Sequence, residues 1–170
     1  MGTLPLHRRG HPQLARLPEG LRNNSLYSLA QMYFISEDYK KAVAVLNRYL
    51  TTVENPSPDA HVLMAQAHYQ GSDYKGAEKS LLTALKLARD NQQPPKENWL
   101  ALLRGVYYEQ KEYDKSVRVL EMLAASYIKD SYWVQLSGMY GLNNEQRRQL
   151  AALHAAYRNG MVTREGDLLN

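Results

Sequence analysis

Asp38-Tyr39-Lys40-Lys41-Ala42 is a five-residue segment that recurs twice further along the chain, as Asp73-Tyr74-Lys75-Gly76-Ala77 and as Glu112-Tyr113-Asp114-Lys115-Ser116. Each copy lies within the same pattern of two short helices joined by a turn. The repeating unit is roughly 34 to 39 residues long, too short to bury an apolar face of its own. Successive units must therefore stack on one another, and the recurrence predicts an all-α array of helix pairs.

Apolar spacing places two helices in each unit, as the first unit shows. One stripe at i, i+3, i+4 and i+7 precedes the turn and a second stripe follows it. The first stripe is Leu26, Leu29, Ala30 and Tyr33, and the second is Ala42, Val43, Leu46 and Tyr49. The same pattern predicts units at about residues 23–57, 58–94, 97–129 and 130–160, of which the fourth is the weakest.

Local signals place the starts of several helices. Pro58 suits the first turn of the third helix, where its missing N–H is not needed. Asp38, Asp73 and Glu112 each stand where a second helix begins, and acidic residues there can cap the helix and favour its positive end.

The two terminal segments fall outside the units. Residues 1–22 contain three Pro and three Gly and show no sustained helical periodicity, so we interpret them as a flexible leader that need not be native, or alternatively as a basic docking arm. Residues 161–170 have the pattern of the start of a further helix. We interpret that helix as truncated, which makes the chain a fragment of a longer repeat protein. The alternative is a homodimer that covers the open C-terminal end.

Charge and composition exclude several classes of function. Residues 1–22 hold four Arg and one Glu, a net charge of +3, and the whole chain carries +4, so the remaining residues contribute only +1. A nearly neutral repeat body disfavours nucleic acid as a partner. The chain has no Cys, which excludes disulfides and thiolate metal sites. No apolar run approaches the roughly 18 residues that span a bilayer, so we expect no direct membrane insertion.

Catalytic and metal-binding motifs are also absent. The sequence has no Gly-rich phosphate loop, no Gly-x-Ser-x-Gly elbow and no His-Glu-x-x-His. His61 and His68 lie seven residues apart on one helix face, but no third ligand has suitable spacing, so we interpret both as packing residues. We therefore expect a protein that is not an enzyme and that needs no metal or cofactor.

The combined pattern resembles the tetratricopeptide repeat over about residues 23–160. In that family, small residues such as Ala30 and Ala77 let the paired helices approach closely. The matching residues are Leu26, Leu29, Ala30, Tyr33, Ala42 and Leu46 in the first unit; His61, Met64, Ala65, His68, Ala77, Leu81 and Ala84 in the second; Leu100, Leu103, Tyr107, Ser116 and Leu120 in the third; and Trp133, Leu136, Ser137, Tyr140, Leu153 and Ala156 in the fourth. Tyr49, Arg104 and Gln149 depart from it, because each stands where a small residue is usual.

This resemblance implies a right-handed superhelix whose first helices line a concave groove that binds a peptide or a helix of a partner protein. The groove residues it implies are Asn24, Tyr27, Gln31, Phe34 and Ile35 in the first unit; Asp59, Val62, Gln66, Tyr69 and Gln70 in the second; and Asn98, Ala101, Gly105, Tyr108 and Glu109 in the third. The groove would be rich in amides and Tyr. The family members that clamp a C-terminal carboxylate need cations at the positions of Tyr27 and Gln31, so that function is not expected here.

A narrower resemblance covers the last third of the chain. Residues 132–140 (YWVQLSGMY), 149–153 (QLAAL) and 156–160 (AYRNG) are similar to repeat proteins associated with bacterial TonB systems. This resemblance implies an accessory component in the bacterial periplasm or cell envelope, with a TonB-complex component as partner. The alternative is a cytoplasmic regulatory or assembly adaptor.

Overall fold

Helices form almost the whole of the described chain. The computed structural model describes residues 18–127, 129–142 and 145–158, and these residues form eight α-helices and no strand. The first helices of the pairs are α1 (Glu19–Ile35), α3 (Pro58–Gln70), α5 (Glu97–Glu109) and α7 (Asp130–Leu142). The second helices are α2 (Tyr39–Thr52), α4 (Tyr74–Asp90), α6 (Tyr113–Ser126) and α8 (Gln146–Arg158). Each helix contacts the next along the chain, so the predicted all-α array of four helix pairs is confirmed.

Two helix boundaries differ from the predicted ones. Helix α1 begins at Glu19, four residues before the predicted start, and Pro18 directly before it has a non-helical ψ of 147°. The apolar stripe does not extend into the first turn of α1, so the sequence periodicity did not reveal that turn. In the fourth unit the sequence Gly141-Leu142-Asn143-Asn144 predicts a turn, but helix α7 continues to Leu142. Residues 1–17 and 159–170, with most of the leader and the predicted further helix, lie outside the described residues.

The turn within each of the first three units has one geometry. Helices α1, α3 and α5 are each followed by a residue in the left-handed region, Glu37, Ser72 and Lys111, with φ of 61°, 61° and 60°. The next residue then donates its N–H to a carbonyl five residues earlier, which closes the helix end. These bonds are Asp38 N to Tyr33 O at 2.9 Å, Asp73 N to His68 O at 2.8 Å and Glu112 N to Tyr107 O at 2.9 Å.

Side-chain capping is present in two of these turns. Asp38 accepts from the N–H of Lys41 at 3.3 Å, and Asp73 accepts from the N–H of Gly76 at 3.0 Å, as predicted. The capping prediction is wrong for Glu112, which makes no such bond and pairs with Lys115. Glu is longer than Asp and is not among the preferred capping residues.

Small residues lie at the contacts between paired helices. Ala30, Ala42, Ala65 and Ala77 are all fully buried, which confirms the predicted close approach. In the third unit, the contact between the paired helices is made by different residues. Ser116 is buried there and its Oγ donates to the carbonyl of Arg104 at 3.1 Å, so the α5 backbone is in contact with α6 even though Arg104 itself is large.

Buried tyrosines join the last two units. The hydroxyl of Tyr132 donates to Glu97, which also pairs with Lys129 at 2.7 Å. The hydroxyl of Tyr140 donates to Glu121. Burial, reinforced by the adjacent carboxylate, raises the pKa of each hydroxyl from 10.0 to about 12.

These shifts predict a loss of stability in alkali. A raised folded-state pKa means that the fold favours the neutral hydroxyl, so the stabilisation is complete below pH 10 and is lost as the pH rises to about 12. We expect urea unfolding between pH 9 and 12 to show a steeper loss for the native chain than for the Tyr132→Phe/Tyr140→Phe variant. Equal slopes for the two proteins would contradict this assignment.

A membrane-spanning helix must be both long and strongly apolar. None of those in the described part of the chain combines the length and hydropathy that crossing a bilayer requires.

Candidate functional site

The predicted groove residues form three parallel stripes on α1, α3 and α5. Within each helix they are spaced i, i+3, i+7 and i+10, which keeps them on one face. The stripes are Asn24, Tyr27, Gln31 and Phe34; Asp59, Val62, Gln66 and Tyr69; and Asn98, Ala101, Gly105 and Tyr108. Helix α3 contacts both α1 and α5, so the stripes lie side by side.

The polar members of these stripes are accessible. Asn24, Gln31 and Asn98 are exposed, and Gln66 is half-buried. A side-chain amide both donates and accepts hydrogen bonds, so it can pair with the N–H and C=O groups of an extended peptide. This part of the surface therefore suits peptide backbone.

Little net charge lies within the stripes. Asp59 is exposed, but its carboxylate is 2.8 Å from Lys96 Nζ. Glu109, at the end of α5, is close enough to Tyr69 to raise the pKa of that hydroxyl, after burial as the larger cause. The surface is consequently suited to an uncharged segment more than to a strongly acidic or basic one.

The aromatic residue at the end of each stripe packs against a second aromatic ring, which we call the supporting ring. Phe34, Tyr69 and Tyr108 each contact the tyrosine that begins the following helix, with ring centroids 5.7, 5.6 and 5.5 Å apart and interplanar angles of 63°, 62° and 63°. These supporting tyrosines are Tyr39, Tyr74 and Tyr113. Edge-to-face contacts of this kind stabilise a ring in one orientation.

The supporting tyrosines belong to the recurring segment, and the sequence pattern did not assign them to the site. Their recurrence was visible, but only the packing shows that they contact the stripe residues. Each of the three aromatic rings is therefore packed against a second ring, and Tyr108 is the most accessible of the three at 44% exposed.

Other predicted site residues are less accessible. Val62 is only 5% exposed and belongs to the core that unites the second, third and fourth units. Tyr27 is half-buried, because its ring packs 5.4 Å from that of Tyr49, the residue that departs from the repeat pattern. Ala101 is also half-buried, whereas Ile35 is 79% exposed and adds apolar surface next to Phe34.

One close approach connects α3 to α5. The hydroxyl of Tyr69 lies 3.6 Å from where a Cβ on Gly105 would stand, an ordinary van der Waals distance, so the Tyr69 ring packs over α5 at Gly105. This contact holds Tyr69 between two stripes.

The two histidines of α3 act in packing. His61 is half-buried, and burial lowers the pKa of its imidazole. The Nδ1 atom of His68 lies 2.8 Å from a carboxylate oxygen of Asp73, at the turn into α4. Among the residues that the structure describes, no group of three or more His, Asp and Glu could hold a metal ion.

Comparison with known proteins identifies the fold. The family model for anaphase-promoting complex, cyclosome, subunit 3 matches residues 17–84, which include the first unit and most of the second. No curated protein is significantly similar in sequence.

Several solved structures share the architecture. MamA aligns over 81% of this chain and 77% of its own with a TM-score of 0.68 and 15% identity. MamA 41-end from Desulfovibrio magneticus RS-1 covers 81% and 75% with a TM-score of 0.66 and 19% identity. YrrB, described as a TPR protein with an unusual peptide-binding site, covers 81% and 69% with a TM-score of 0.64 and 13% identity. The chain therefore has the fold of a tetratricopeptide-repeat solenoid, and identities this low establish the fold alone.

Proposed function

We propose that this chain is a protein-interaction scaffold that binds an extended peptide or a helix of a partner protein across the stripes of α1, α3 and α5. The observation that carries the proposal is the row of three supported aromatic rings beside accessible amides, repeated with the same spacing in three units. The rings offer contact area, and because they are already packed, binding a partner would cost little side-chain entropy. The amides offer hydrogen bonds to a peptide backbone. The peptide-binding site named for YrrB supports the same use of this fold.

Introducing bulk and charge at two exposed amides tests this proposal. We expect Gln31→Arg/Asn98→Arg to weaken partner binding at least about tenfold, because two buried cations would face an uncharged surface. The measurement is quantitative affinity capture from the native cell, with Tm determined in parallel. Amide positions are preferred to Tyr27 or Tyr69, whose ring contacts also stabilise the fold.

The matched control places the same changes on second helices. Asn47 in α2 and Ala125 in α6 are both exposed. We expect Asn47→Arg/Ala125→Arg to retain every partner. If the groove variant retains all partners, or if the control loses the same ones, the assignment of the binding surface is wrong.

The identity of the partner is a finer proposal. From the resemblance of residues 132–140, 149–153 and 156–160, we propose an accessory role in a bacterial TonB-type transport system, in the periplasm or cell envelope. The alternative is a cytoplasmic regulatory or assembly adaptor, favoured by the four Arg in residues 1–22, which would act as a docking arm. Fractionation of cells that express the endogenous protein separates the two, because recovery with the cytoplasm contradicts the TonB role.

Self-association through the C-terminal end is proposed as an alternative use of the last unit. Leu142 and Leu150, in α7 and α8, are both exposed there. A strict monomer in light scattering at high concentration would contradict it.

A further inference from the structure

A narrow basic stripe runs along the outer face of α4, away from the groove of the first helices. Its four exposed residues are Lys75, Lys79, Leu82 and Lys86, at spacings i, i+4, i+7 and i+11. At 100° per residue these four positions fall within an arc of about 60°, and they span about 17 Å along the helix axis. Arg89 extends the stripe by one further turn.

The three lysines are not neutralised by their neighbours. Three acidic residues lie beside the stripe. Glu78 accepts from Gln110 Nε2 at 3.0 Å, and Lys115 contacts both Glu78 and Glu112. Asp90 is the last residue of α4, four residues after Lys86. Within the described parts of the chain, Lys75, Lys79 and Lys86 make no ion pair.

The stripe also lines a cleft. A cavity of about 660 Å³ lies between α4 and the turn from α5 to α6. Its walls carry the three lysines and Leu82, together with Thr83 and Gln110, which can form hydrogen bonds. The carboxylates of Glu78 and Glu112 also line it, and both contact Lys115. The lysines thus lie along a groove, which we call the α4 groove.

The repeat architecture does not require this arrangement. The residues equivalent to Lys75, Lys79, Leu82 and Lys86 are Lys40, Ala44, Asn47 and Thr51 in α2, and Asp114, Arg118, Glu121 and Ala125 in α6. Neither set is a basic stripe with an apolar centre. Among the second helices of the first three units, the stripe is therefore a property of α4, and stacking of the units does not require it.

We propose that the α4 groove binds an acidic peptide segment with an apolar residue at its centre, contributed by a protein other than the one in the first-helix groove. Carboxylates of the segment pair with Lys75, Lys79 and Lys86, and the apolar residue covers Leu82. The stripe matches the length of about five extended residues or three helical turns. Because the chain outside residues 1–22 carries only +1, a nucleic acid or a membrane would find few further cations.

A labelled acidic peptide tests the proposal on the full chain. The probe is a fluorescein-labelled 12-residue peptide of Glu and Asp with one central Leu, followed by fluorescence anisotropy at several salt concentrations. We expect Lys79→Glu/Lys86→Glu to weaken binding at least about tenfold, because two attractions become repulsions. Leu82→Ala should weaken it by about threefold, and salt should weaken it for the native chain.

The control carries the same change in net charge on the other second helices. We expect Lys40→Glu/Arg118→Glu to bind the peptide within about threefold of the native chain, since a distant exposed charge is screened. The groove variant Gln31→Arg/Asn98→Arg should also bind it normally, so failure of one surface can be distinguished from failure of the other.

Three results would overturn the proposal. One is a native chain that does not bind the peptide up to about 1 mM at low salt. Another is an equal loss of binding in the control variant. The third is tighter binding of single-stranded RNA or of phosphatidylserine vesicles than of the peptide, again lost in Lys79→Glu/Lys86→Glu.

Discussion

Leu81→Ala is expected to lower the free energy of unfolding by about 3 kcal/mol. Leu81 is fully buried in α4, within the core that unites the second, third and fourth units. Truncation removes apolar contacts and leaves a cavity that a close-packed helical stack can fill only in part. Since each unit of a solenoid is stabilised by its neighbours, a loss in this central unit affects both sides of the array. Urea unfolding followed by circular dichroism measures the change.

The next residue supplies the control for this prediction. Leu82 lies on the same helix and is 46% exposed. We expect Leu82→Ala to change the free energy of unfolding by about 0.5 kcal/mol or less, as exposed substitutions usually do. Similar losses for the two variants would show that the assignment of inner and outer faces of α4 is wrong.

Ala77→Leu is expected to destabilise the fold by about 1–3 kcal/mol for the opposite reason, overpacking. Ala77 is fully buried where α4 follows its turn, and Ala65 on α3 is fully buried as well. Three additional carbons at this contact force the helices apart or push side chains out of their preferred rotamers. The measurement is thermal unfolding, in which the variant should melt at a lower temperature.

An exposed alanine on a second helix controls for the chemical change. Ala44 in α2 is exposed, so Ala44→Leu adds the same atoms where no neighbour confines them. We expect its melting temperature to stay close to that of the native chain. An unchanged melt for Ala77→Leu would remove the close-packed assignment of that position.

Periodicity in the sequence accounts for much of this fold. The recurring segment predicted the turns, and the apolar stripes predicted helix pairs and the buried alanines. The sequence did not reveal the left-handed residues of those turns, because Glu37, Ser72 and Lys111 are three different residue types in one backbone conformation. The hydrogen bond that follows each of these residues, from an N–H to the carbonyl five residues earlier, requires this conformation. The conformation is therefore a property of the turn as a whole.

The candidate site was less completely predictable. Helical spacing places each stripe on one face of its helix, but the exposure of its residues depends on the neighbouring helices as well. Val62 occupies the same stripe position as Tyr27 and Ala101, yet it packs into the core. The roles of Tyr39, Tyr74 and Tyr113 likewise depend on contacts between helices, which a single helix pattern does not contain.

The recurring segment with which the sequence was first divided thus serves two purposes. Its acidic residue caps the start of the second helix in two units, and its tyrosine contacts an aromatic residue of the proposed binding surface in three. A change at this tyrosine would therefore affect both the turn and the surface.

Site-specific photo-crosslinking in the native cell tests the central claim, that a partner occupies the surface of the first helices. A photoreactive amino acid is placed singly at Gln31 or Asn98 on this surface, and at Asn47 or Ala125 on the second helices, all four exposed positions. Our account predicts the same partner adduct from Gln31 and Asn98 and none from Asn47 or Ala125. Adducts from the second-helix positions alone would contradict it.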